Sequence, residues 1–162
     1  MVAKPTTLSV SSPTLQPGDP IPAEYTADGR DVSPPLNWAD VPHGSASLVL
    51  ICEDPDAPRG LFTHWVAFNL PAGSRGLGEA FPTSASLPDG VAQATTDFGR
   101  TGYGGPAPPP GKPHRYFFRL FALDTRLDLD PGASHQEVRA AMEGHILAEG
   151  EFMGTYGRAA PK

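Results

Sequence analysis

The chain's 162 residues fit one folded domain, and its 18 acidic against 12 basic side chains give a formal charge of −6, a field that repels nucleic acid and acidic membrane surfaces. A single cysteine, Cys52, excludes an intrachain disulfide and a multi-cysteine metal centre. No apolar run has signal-peptide or membrane-span proportions, so the expectation is a soluble, cytoplasmic protein without stable membrane insertion.

Without an internal repeat or a linker of distinct composition, residues 1–162 read as a single domain with frayed ends at Lys4-Pro5 and Ala159 to Lys162. Leu8 to Val10 reads as a short strand. Proline and glycine crowd Pro13 to Pro42 and Pro82 to Pro113, where missing donors and costly ordering rule out regular helix. Ser47 to Cys52 is a branched apolar run, the pattern of a strand covered on both faces, with Cys52 buried and inert. From His64 to Leu70, strand alternation places His64, Val66, Phe68 and Leu70 on one face and Trp65, Ala67 and Asn69 on the other. Arg115 to Leu123, aromatic on both faces, suits a central strand. Ser134 and Glu137 have capping-box spacing, Val138, Ala141 and Met142 follow as a helical stripe, and Gly144 is a stop. His145 to Tyr156 fits either further helix or a closing strand. These elements predict a mainly β fold, a sandwich of two packed sheets with one or two short helices late in the chain.

Chemistry-bearing residues gather where these strands begin or end. Asp54-Pro55-Asp56-Ala57-Pro58 leaves the first long strand, and its prolines restrain both carboxylates; the same five residues also make an ordinary tight turn. His114 and Tyr116 stand two apart at the entry to the aromatic strand and so share a face. An imidazole, a phenol and backbone amides of the Gly-Pro loop are donors suited to a phosphate, with Asp54 orienting one imidazole. A core histidine beside a packed aromatic fits the pattern equally well. Arg115, on the opposite face, is expected to pair with Asp124 or Asp128. His64, His114 and Asp54 also suggest a metal triad, but no local ligand spacing supports it. No nucleophile elbow or phosphate-binding Gly-Lys loop is present, so no enzyme and no cofactor is expected.

Several motifs appear in order over nearly the whole chain: Ile21 to Tyr25, Asp31 to Trp38, Asp54 to Pro58, His64-Trp65-Val66, Gly105 to Gly111, His114-Arg115-Tyr116, Gly144 to Ala148 and Gly154-Thr155-Tyr156. In this order the chain resembles the phosphatidylethanolamine-binding protein family, specifically its bacterial Raf kinase inhibitor-like branch. The resemblance implies a two-sheet β-sandwich with a small pocket for phosphate, other small anions or a phospholipid headgroup, lined by Asp54, Pro58, His64, Pro109, His114 and Tyr116. The stretch between Gly111 and His114 is shorter than in animal members, which makes Pro108 the alternative to Pro109. The chain also stops soon after Tyr156, without the longer C-terminal helix of animal members, implying a more open pocket or one covered in a homodimer. Kinase or protease regulation is known in the family but depends on surfaces outside the pocket.

Three functions follow as expectations. The first is a small-anion or phosphate-headgroup binder whose bound state regulates a kinase or protease partner, with affinity falling as imidazolium charge is lost at rising pH. The second is a metal-dependent phosphoester hydrolase built on His64, His114 and Asp54. The third is a surface-acting kinase or protease inhibitor with a vestigial pocket.

Overall fold

The computed structural model describes residues 6–159; Lys4-Pro5 and positions 160–162 of the expected frayed ends lie outside that range. Among the described residues the strands are β1 (Thr6–Thr7), β2 (Ser9–Ser11), β3 (Leu36–Ala39), β4 (Ser47–Asp54) and β5 (Phe62–Leu70). They continue with β6 (Gly76–Leu77), β7 (Ala92–Gln93), β8 (His114–Leu123) and β9 (Ile146–Tyr156). One helix, α1 (His135–Met142), separates β8 from β9, and short 3-10 turns occupy Ala23–Tyr25 and Pro88–Gly90.

The strands form a six-stranded sheet in the order β1-β9-β8-β4-β5-β7 and a three-stranded sheet in the order β2-β3-β6. At buried Leu8 the chain crosses from one sheet to the other, since β1 runs parallel to β9 while β2 pairs antiparallel with β3. This is the expected two-sheet, mainly β architecture. Between the sheets, Leu36 and Trp38 of β3 meet Leu50, Cys52, Trp65, Tyr116, Phe118 and Phe152 of the large sheet. On the large sheet's other face, Val49, Ile51, Val66 and Phe68 pack with Leu127, Val138 and Met142. Strand β4, covered on both sides, is buried at all eight positions, which is why its sequence is continuously apolar from Leu48 to Cys52.

The capping box forms as read: the amide of Glu137 donates to Ser134 Oγ at 3.1 Å, and the Ser134 amide donates to Glu137 Oε1 at 3.3 Å. The segment left open between helix and strand is strand β9, paired with β8 along its length. Its glycines have packing reasons. A Cβ at Gly154 would stand 2.7 Å from Ile21 Cγ1, and one at Gly150 would collide with the Leu8 carbonyl.

Strand β5 departs from simple alternation at both ends. Val66 and Phe68 do share the α1-side core, and Trp65 and Ala67 share the inter-sheet core, as expected. Leu70, however, lies with Trp65 and Ala67, and the His64 ring meets Tyr116 of that same core. The register explains both corrections. Cys52 pairs with Trp65 but Glu53 with Thr63, and Leu48 pairs with Leu70 but Leu50 with Ala67, so β5 carries an extra residue at each end. Asn69 adopts φ 57° at the second irregularity. Each bulge rotates the following side chain to the other face.

Candidate functional site

Antiparallel pairing brings the candidate residues together. Strand β4 ends at Asp54, and β5 and β8, its two neighbours, run the opposite way, so their starts lie at that same end. Asp54, His64, His114 and Tyr116, from three separated stretches of sequence, thereby share one sheet end, and the bulge at the start of β5 turns His64 toward Tyr116. They line a cavity of about 240 Å³ with Pro58, Pro108 and Pro109. All six residues named from the sequence are in this wall. Pro108 and Pro109 both contribute, which removes the choice between them.

Hydrogen bonds fix the two imidazoles from behind. The His114 ring shares a 2.7 Å bond between Nδ1 and Asp54 Oδ2, while Asp54 Oδ1 accepts the Asp56 amide at 2.7 Å. Both carboxylate oxygens are thus engaged, and Asp54 acts by orienting His114. His64 Nδ1 lies 2.7 Å from the Gly104 carbonyl, which only accepts, so Nδ1 carries the proton. The remaining polar atoms are His64 Nε2, His114 Nε2 and Tyr116 Oη. None has a protein partner among the described residues, yet no buried side-chain polar atom there is left unsatisfied. All three therefore keep accessible surface, and the space they share is the cavity.

Electrostatics set the ionic forms. Burial pushes the Tyr116 phenol well above its ordinary range, reinforced by the negative charge of Asp54, so its hydroxyl remains a donor. Burial also lowers the His64 pKa, outweighing the Gly104 carbonyl and the carboxylates of Asp54, Asp31 and Asp97, which favour the charged ring. The enclosed His64 ring resists ionisation, so its neutral form is favoured in the empty cavity. Cys52, wholly enclosed, has its thiol pushed up by burial.

Arg115 does not pair with Asp124 or Asp128. Its Nε and Nη2 donate to Asp56 at 2.9 and 2.8 Å, and its amide donates to the same carboxylate at 2.9 Å, while Asp124 meets His145. This fork holds the Asp56 carboxyl at about 2 and ties the Asp-Pro loop to the start of β8. No group of three or more His, Cys, Asp or Glu among the described residues is arranged to hold a metal ion.

Sequence reading missed Ala57, Phe62, Phe98, Ala107 and Gly104. Phe62 stands two before His64, a strand-face signal that was available but fell outside the run read as a strand. Phe98 stacks edge-on against both Phe62 and His64, at 4.8 and 5.2 Å, from a loop with no local signal pointing there. Gly104 contributes only its carbonyl, which no side-chain motif marks.

Fold and site define a class: a two-sheet β-sandwich with a small, largely apolar cavity at one sheet end, into which two imidazoles and a phenol open. Residues 11–157 match the family described as phosphatidylethanolamine-binding protein, and the chain belongs to that family. It is 56% identical over 138 residues to a UPF0098 protein of Methanothermobacter thermautotrophicus, covering 85% of this chain and 91% of that protein. UPF0098 protein YbhB of Escherichia coli is 46% identical over 149 residues, covering 87% and 94%. Among solved structures, a phosphatidylethanolamine-binding protein homologue from Chlamydia trachomatis superimposes with a TM-score of 0.85 at 37% identity, covering 94% of this chain and 99% of that one. YbcL of E. coli, described as a member of the mammalian family, gives 0.84 at 31% identity with the same coverage.

Proposed function

We propose that the cavity binds a small oxyanion, a phosphoryl group above all, and holds it without chemical change. The observation that carries this reading is the convergence of His64 Nε2, His114 Nε2 and Tyr116 Oη on one small opening whose other walls are phenylalanine, proline and alanine. Polar atoms set in an apolar wall fix a ligand's orientation, and the prolines limit the ordering cost of binding. Reversible binding is favoured over hydrolysis because the cavity's phenol is held protonated and its carboxylate is occupied by His114 and the Asp56 amide. None of the described helices is long and apolar enough to cross a membrane. Leu61, half-exposed beside lining Phe62, gives a protein partner an apolar point from which to sense the occupied pocket.

Titration of the full chain with inorganic phosphate or phosphoethanolamine, followed by the histidine ring signals in NMR, tests the proposal. Both His64 and His114 are expected to shift in the millimolar range or below. If neither responds there, the cavity is not an anion site.

A further inference from the structure

Residues 106–113 run from the loop that holds His64 to the start of β8, and five of these eight residues are prolines. Pro108 and Pro109 stand in the cavity wall. A proline has no amide hydrogen, so this stretch cannot lace itself to a neighbouring strand with its own donors and depends on groups brought from elsewhere.

The chain just beyond β9 brings them. Arg158 Nη1 donates to the Pro108 carbonyl at 3.1 Å, the Gly111 amide donates to the Arg158 carbonyl at 3.0 Å, and Pro110 and Arg158 stand side by side in parallel register. Gly157 passes so close to Pro113, the residue before His114, that a Cβ on it would stand 3.0 Å from Pro113 Cα.

The Arg158 guanidinium is fixed in its turn. Nε and Nη2 donate to Asp28 at 3.0 and 2.8 Å, and Tyr156 Oη donates to the same carboxylate at 2.6 Å. These donors hold the Asp28 carboxyl below its ordinary range, so it is charged at neutral pH. Asp28 is anchored by buried Thr26, whose hydroxyl donates to the Ala23 carbonyl at 2.8 Å and accepts the Asp28 amide at 3.1 Å. A rigid guanidinium fork can give two hydrogens to a carboxylate and a third to a carbonyl at once, which a lysine ammonium on a flexible stem does less well.

Resting on the pocket reading above, we infer that Arg158 is a positioning residue for the cavity: clasped by Asp28, it holds the donor-poor proline wall in place, although neither residue lines the cavity. The segment after β9 thereby sets the shape of a site it does not enter. Both side chains are about one-third exposed, so the pair adds little to global stability and its effect is concentrated on the wall.

The test uses the full chain with Arg158→Ala, with Asp28→Ala and with both. Amide hydrogen exchange at Gly111 is read against that at Thr95, which donates to the Ala133 carbonyl beside α1, and inorganic phosphate is titrated while the histidine ring signals are followed. Each single variant is expected to speed Gly111 exchange and to weaken phosphate binding about tenfold, because a wall that is out of place most of the time lowers the apparent affinity by the fraction in place. Thr95 exchange should be unchanged and the thermal midpoint should move by no more than about 4 °C. The double variant should be no worse than either single one, since both substitutions open the same clasp. Unaltered Gly111 exchange or unaltered phosphate affinity in Arg158→Ala overturns the inference and leaves the anion pocket standing, as does a loss of affinity in which Thr95 exchange accelerates equally. If phosphate moves neither ring in the unsubstituted chain, the pocket reading fails, and the Gly111 comparison alone decides whether the clasp holds the loop.

Discussion

Tyr116 and His114 contribute to the site in separable ways. Tyr116→Phe keeps the ring in its inter-sheet packing and removes only Oη, so phosphate affinity should drop by the value of one hydrogen bond, about 0.5–1.5 kcal/mol, with little change in thermal midpoint. Asp54 is a positioning residue, since both its oxygens are engaged within the protein. Asp54→Asn should weaken phosphate binding by roughly tenfold. It should also remove the low-field His114 Nδ1 proton signal, a readout that loss of stability alone would not mimic. His64 gives a pH prediction with a definite sign. Its folded pKa is lowered, so between that value and the unfolded value of about 6.5 the unfolded chain binds more protons. Stability from this residue is complete above about pH 6.5 and is lost as the pH falls through the folded value. The urea midpoint should decline on acidification below that point, and the decline should be smaller in His64→Phe.

Bulges and glycines, more than the strands themselves, decide how the elements serve the site. His64 faces Tyr116 because β5 carries an extra residue where Cys52 pairs with Trp65 and Glu53 with Thr63. Simple alternation from the sequence could not find this, since a bulge changes no residue type. The central part of β5, the apolar run of β4, the aromatic strand β8 and the capped helix were all legible, because each rests on local periodicity or a short-range hydrogen bond. Strand β9 was not, because Gly150 and Gly154 disturb both the helical and the strand pattern, and their reason, the approach of Leu8 and Ile21, is long-range. The loop that holds His64 has its own steric demand: a Cβ at Gly105 would stand 2.6 Å from the Tyr25 carbonyl oxygen and 2.7 Å from Asp31 Oδ1. Gly105→Ala forces this loop and the Tyr25 and Asp31 segment apart, next to the Gly104 carbonyl that holds His64. It is expected to lower the thermal midpoint and weaken phosphate binding together, whereas Ser134→Ala at the cap of α1, which packs on the large sheet's other face, should cost about 1 kcal/mol of stability and leave binding intact.

The whole molecule presents a net negative surface around a pocket read as taking an anion. Attraction is therefore local, and the long-range field opposes approach. Added salt screens that field, so phosphate affinity measured calorimetrically should hold or rise between low and physiological sodium chloride; a steep fall would reveal a cationic site. Position at strand ends marked Asp54, His64, His114 and Tyr116, whereas Pro58 and Pro109 were recognisable only through motif order along the chain. The meeting point of all six was not, because it depends on β4 running against both neighbours, a property of sheet order and not of any segment. A crystal structure of the protein grown with saturating inorganic phosphate tests that meeting point most directly. The expected result is one phosphate in the cavity, within hydrogen-bond distance of His64 Nε2, His114 Nε2 and Tyr116 Oη. A cavity holding only water at saturating phosphate, or a phosphate bound elsewhere, would contradict it.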